Sequence, residues 1–109
     1  MSKERVERLR HMAQMVHEVE LARTARLGAA REATRARLGK LPASLPLTEE
    51  PALLAARQAH LHWAAAQRMQ LNQRLAQETA RLLEQRRKTA RSLGRLEAVD
   101  KLCPYPPKR

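Results

Sequence analysis

The 109-residue sequence contains no isoleucine and no phenylalanine, one tryptophan and one tyrosine. Aromatic side chains normally supply much of the area a domain buries, so the anchors of a sizeable globular core are missing. β-branched residues are nearly as scarce, with four Val and five Thr, which excludes a β-rich fold. The single cysteine, Cys103, excludes an intramolecular disulfide and argues against a disulfide-stapled secreted mini-protein. Gly28, Gly39 and Gly94 are too scattered for a phosphate-binding loop. No apolar run approaches the ~20 residues that span a bilayer. The opening Met1-Ser2-Lys3-Glu4-Arg5 is charged at once, without a signal-peptide core behind it, so the expected location is cytoplasmic.

What is abundant is 19 Ala, 17 Leu and 17 Arg, with Gln and Glu beside them, all strong helix formers. Prolines divide this material. None occurs before Pro42; Pro42, Pro46 and Pro51 follow, and the next is Pro104. The expected fold is all-α: two long helices forming an antiparallel coiled-coil hairpin, the second longer than the first. The hairpin occupies residues 1–103, with a helix over about 2–38, a Pro-containing loop over 39–47 and a helix over about 48–102. Residues 104–109 are expected as a disordered tail. Ser2 is the natural first N-cap and Gly39 the natural C′ residue, while Thr48 caps the second helix with Pro51 in its first turn.

Periodicity agrees with a coiled coil. The first stretch offers an apolar seam of Val6, Leu9, Ala13, Val16, Val19, Ala22, Leu27, Ala30, Ala33 and Leu38. In the second, Leu54, Leu61, Leu75, Leu82 and Leu96 fall on a seven-residue grid, with Arg68 and Thr89 as exceptions. Ala64, Leu71 and Val99 fill matching positions that Glu78, Gln85 and Ser92 interrupt. A short loop makes the helices antiparallel neighbours and places residue i opposite roughly 89 − i, which sets Trp63 near Arg26 and Leu27. The helices measure roughly 55 and 80 Å at 1.5 Å per residue. Residues from about Arg87 onward then overhang, carrying Leu93, Leu96, Val99 and Leu102 on one side, and an uncovered apolar stripe is a binding surface by default. Fraying after Arg87 and a different stagger of the ends are the alternatives.

The net charge of +11 is uneven. Residues 1–40 hold ten basic and five acidic side chains, residues 41–80 three of each, and residues 81–109 nine and three. Expected partner-binding residues are therefore Arg86, Arg87, Lys88, Arg91, Leu93, Arg95, Leu96 and Val99; the alternative for the charge is a solvated helix surface. Chemistry is otherwise absent. His11 and His17 are six apart and His60 and His62 two apart, so neither pair shares the i, i+4 face of a helical metal site. No nucleophile–base set has a scaffold that encloses a substrate. The expectation is a non-enzyme without metal or cofactor. Nucleic acid is one candidate partner, bound non-specifically for lack of an aromatic stacking platform; a larger protein machine is the second, and a membrane surface is the third, disfavoured because no face combines bulky apolar residues with clean amphipathicity.

The stretch Trp63-Ala64-Ala65-Ala66-Gln67-Arg68-Met69-Gln70-Leu71-Asn72-Gln73-Arg74-Leu75-Ala76, followed by Arg86-Arg87-Lys88 and the Leu93, Leu96, Leu102 spacing, resembles the FliJ family of the bacterial flagellar export apparatus. Members of that family are small antiparallel coiled-coil hairpins similar to the coiled coil of the rotary ATP synthase gamma subunit. The resemblance implies a stalk that binds the export ATPase ring, contacts the export-gate protein and assists export chaperones and their substrates. It implies a cytoplasmic location, or a peripheral one at the inner-membrane export apparatus. The paired helix ends enter the ring in that family, which corresponds here to Lys3–Arg10 and Arg81–Leu102. This chain is shorter than typical members and has a Pro-rich loop. The alternative is a basic hairpin that binds nucleic acid or ribosomes.

Overall fold

The computed structural model describes residues 2–102. Cys103 and the expected tail at 104–109 lie outside the described residues. The chain is an all-α helical hairpin of two helices, α1 (Lys3–Gly39, 37 residues) and the longer α2 (Pro51–Leu102, 52 residues). It divides into two compact units. One joins α1 up to Gly28 with α2 from Ala80; the other comprises residues 29–79.

Helix ends follow local chemistry. Ser2 caps α1: its carbonyl accepts from Val6 N–H at 3.2 Å and its hydroxyl from Arg5 N–H at 3.3 Å. Gly39 does not act as a left-handed C′ residue, since no glycine has positive φ. The last turn instead tightens through Lys40 N–H to Arg37 O and Leu41 N–H to Leu38 O, each 3.2 Å. The start of α2 lies later than Thr48. Glu50 O accepts the first helical bond, from Leu54 N–H at 2.8 Å, and Pro51 takes the first helical position, where its missing N–H costs nothing. The Thr48 hydroxyl accepts from Glu50 N–H at 3.3 Å, holding the turn before the helix.

In each unit the helical segments run antiparallel, because partners rise in number on one side as they fall on the other. In the unit of the helix ends, Arg10 meets Asp100, His17 meets Ser92 and Thr24 meets Thr89. In the second unit Arg31 meets Thr79 and Thr34 meets Glu78. Residue i therefore lies opposite about 110 − i, not 89 − i. The loop supplies the reason. Its backbone is irregular, and it travels beside α2: Arg68 donates to Pro42 O at 3.2 Å and Arg57 to Leu45 O at 3.3 Å. Extended chain advances about 3.3 Å per residue against 1.5 Å in a helix. Loop residues 40–50 can thus accompany about twenty residues of α2. The part of α2 without an α1 partner is its beginning, residues 51–70, and the expected overhang from Arg87 onward does not exist. Trp63 accordingly stands away from any α1 partner, 51% exposed, its ring stacked on His60 with centroids 5.5 Å apart.

The seam between the helices is polar. On α2 it uses the expected heptad grid, on which Glu78, Leu82, Gln85 and Ser92 are buried; Ala64, buried on the same grid, lies in the stretch without an α1 partner. On α1 the inward row is Val6, Arg10, Ala13, His17, Glu20, Thr24, Leu27, Arg31, Thr34 and Leu38. Only Val6, Ala13, Leu27 and Leu38 of the expected apolar seam belong to it. Leu9, Val16 and Val19 are exposed. The reason is the polar content of the α2 grid: Glu78, Gln85, Thr89 and Ser92 each demand a partner, and Thr34, Glu20, Thr24 and His17 provide them. An unsatisfied buried polar group costs about 1–3 kcal/mol and more when charged. Leaving a Val or Leu half exposed forfeits only part of its roughly 1.5–3 kcal/mol of burial.

Two predictions test this arrangement. Thr34→Val removes the hydroxyl that serves the buried Glu78 and should lower unfolding free energy by about 1–2 kcal/mol. Replacing both Thr34 and Glu78 by Leu should restore or exceed the original stability in denaturant titrations followed by circular dichroism. A single variant as stable as the parent would show that the bond holds nothing. For the register, His17→Cys with Ser92→Cys, in a Cys103→Ser background, should close a disulfide on mild oxidation. His17→Cys with Asn72→Cys, the pair demanded by 89 − i, should remain reduced.

Candidate functional site

The unit built from the beginning of α1 and the end of α2 carries the candidate site. Its seam is a chain of hydrogen bonds. Arg10 Nε donates to Asp100 Oδ1 at 2.9 Å. The Ser92 hydroxyl donates to Thr89 O at 2.8 Å, which leaves its oxygen to accept from His17 Nδ1–H at 2.7 Å. Thr24 and Thr89 share a 2.8 Å hydroxyl contact, while Gln85 Nε2 donates to both the backbone and the carboxylate of Glu20. This inward row turns the neighbouring row of α1 outward. Leu9, Met12, Val16 and Val19 recur at steps of three and four residues and are all exposed, Met12 at 62%.

Leu9, Met12 and Val16 form one wall of an apolar groove of about 380 Å³, and Arg95, Ala98 and Val99 of α2 form the other. A smaller hollow of about 200 Å³ beside it is lined by Val16, Glu20, Lys88, Arg91, Ser92 and Arg95. The Glu20 carboxylate is engaged by Gln85 and by Arg23 at 3.6 Å. Lys88, Arg91 and Arg95 form no ion pair among the described residues. The site is thus an apolar trough with a positive rim.

The sequence-predicted partner residues separate here. Lys88, Arg91 and Arg95 line the two cavities, and Val99 forms part of the apolar wall. Arg86 and Arg87 are exposed, Arg87 paired with Glu84 at 3.6 Å. Leu96 and Val99 are half-buried positions of the seam with α1, not an uncovered stripe, while Leu93 is exposed outside the groove lining. The residues misassigned from the sequence are Leu9, Val16 and Val19, expected in the apolar seam and exposed in the structure. Their three-four spacing was visible, but on a helix it marks a face without saying what that face meets.

Among the described residues no group of three or more His, Cys, Asp and Glu side chains could hold a metal ion, and no helix is long and apolar enough to cross a membrane. No protein-family model, curated protein or solved structure matches the chain.

The division between seam and groove predicts opposite responses to mutation. Leu82, 5% exposed, should cost about 2–4 kcal/mol when truncated to Ala. Met12→Ser and Val16→Ser should stay within about 0.5 kcal/mol of the parent, as exposed substitutions usually do. Denaturant midpoints of the three variants measure this directly, and a large loss in Met12→Ser would place that side chain in the core.

Proposed function

We propose that the protein is a non-enzymatic coiled-coil component of the bacterial flagellar export apparatus. In this reading it binds the export ATPase ring as a stalk, assists export chaperones and their substrates, and works in the cytoplasm or peripherally at the inner membrane. The proposal begins from the sequence resemblance to the FliJ family. One structural observation supports it most: the start of α1 and the end of α2 are held together as one unit, the arrangement of helix ends that the resemblance calls for. That unit also carries Lys88, Arg91 and Arg95, without an ion pair among the described residues, beside an apolar groove, so it offers a protein partner both area and charge.

A basic hairpin bound to nucleic acid or ribosomes is the competing reading. Phosphates would suit the arginines, yet they would gain nothing from Leu9, Met12 and Val16. Affinity purification of the full chain from its native cells, at moderate salt and with nuclease treatment, separates the two. An ATPase and further export proteins should remain bound after nuclease. Charge reversal at Arg86, Arg87 and Arg91 should weaken that retention, more so at higher salt. Recovery of nucleic acid alone, lost on nuclease treatment, would overturn the proposal.

A further inference from the structure

We infer that the groove between Met12 and Val99 receives an amphipathic helix of a partner protein, one whose apolar stripe is flanked by Asp and Glu. The inference rests on reading the chain as a protein-docking hairpin and adds the chemistry of what docks.

The groove's composition selects the occupant. Along α1 the outward row reads Arg5, Leu9, Met12, Val16, Val19 and Arg23, an apolar centre closed at both ends by arginine. Along α2 the facing rim is Lys88, Arg91 and Arg95. All five steps of the α1 row and both steps of the α2 rim are of three or four residues, so each row keeps to one face of its helix. The two hollows together run from Leu9 to Glu20 along α1, about 17 Å or roughly three turns of helix. Glu20, the carboxylate lining the smaller hollow, is already held by Gln85 and Arg23. Lys88, Arg91 and Arg95 themselves make no ion pair among the described residues.

Charge complementarity decides against two other occupants. A second copy of this chain would lay its own Arg5 and Arg23 against the same arginines, and like charges brought together oppose association. A nucleic acid would neutralise the rim, but the groove presents no aromatic ring on which a base could stack. An amphipathic helix meets both requirements at once. Apolar side chains at i, i+3, i+4 and i+7 enter between Leu9, Met12, Val16 and Val99, as in other helix-in-groove complexes. Carboxylates on its flanks reach Lys88, Arg91 and Arg95.

The test uses the full chain and a fluorescently labelled helical peptide of about 18 residues, long enough to cover those three turns. Its Leu residues follow three-four spacing and Glu occupies both flanks. Controls are a scrambled peptide of the same composition, a version with Lys flanks, and a DNA duplex. In anisotropy titrations at about 0.15 M salt, the acidic amphipathic peptide should bind. The scrambled peptide should bind at least about tenfold more weakly, and the Lys-flanked peptide not at all. Met12→Ser with Val16→Ser, and separately Arg91→Glu with Arg95→Glu, should each weaken binding by about tenfold or more. Trp63→Ser, in the other unit, should change nothing. No binding, equal binding of the scrambled peptide, unchanged binding by the groove variants, or preference for the duplex would each overturn the inference. A chain that retains an export ATPase yet ignores the peptide refutes the groove assignment alone. A chain that binds the peptide through the groove but retains no ATPase refutes the export reading alone.

Discussion

The need of buried hydrogen-bonding groups for partners governs this molecule. Along the heptad grid of α2, Glu78, Gln85 and Ser92 are buried and Thr89 half-buried, positions a simple coiled coil would give to Leu or Val. Each has a partner on α1: Thr34, Glu20, His17 and Thr24 respectively. Sliding α1 along α2 would break these matches together, and every unmatched group would keep its desolvation penalty. Polar seams of this kind contribute little net stability, but they discriminate strongly between registers.

That choice has a consequence for the neighbouring row of α1. An α-helix can present only one face inward, so a polar inward row pushes Leu9, Met12, Val16 and Val19 toward solvent. Among the described residues the buried apolar side chains are few: Val6, Ala64 and Leu82. Apolar area that would normally hold a hairpin together is thereby available to another molecule. Lys88, Arg91 and Arg95 lie beside it without an ion pair among the described residues, and Glu20, the carboxylate lining the smaller hollow, is engaged by Gln85 and Arg23. Register and groove are two results of one alignment.

The loop makes the alignment possible. Its prolines keep residues 40–50 out of a helix, and extended backbone covers more length per residue than helix does. Arg57 and Arg68 anchor it by donating to the carbonyls of Leu45 and Pro42. Both arginines sit on the α2 grid, where Arg68 looked like an interruption. It serves instead as the donor for a backbone that, lacking secondary structure, has carbonyls to satisfy.

Composition and punctuation were enough to determine that this chain is a two-helix, all-α hairpin with the longer helix second, and local chemistry announced the Ser2 cap. The α2 heptad grid was legible as well, since its Leu residues repeat without competition. The α1 seam was not: two rows at three-four spacing lie one beside the other, and apolarity favoured the row containing Leu9 and Val16. Lys88, Arg91 and Arg95, singled out by charge, line the two cavities, but the overhang on which that reading rested is absent. Only tertiary structure could decide which row faces inward and which residues pair. That decision depends on matching polar groups some 75 residues apart, such as His17 with Ser92, and periodicity within either helix carries no information about the other.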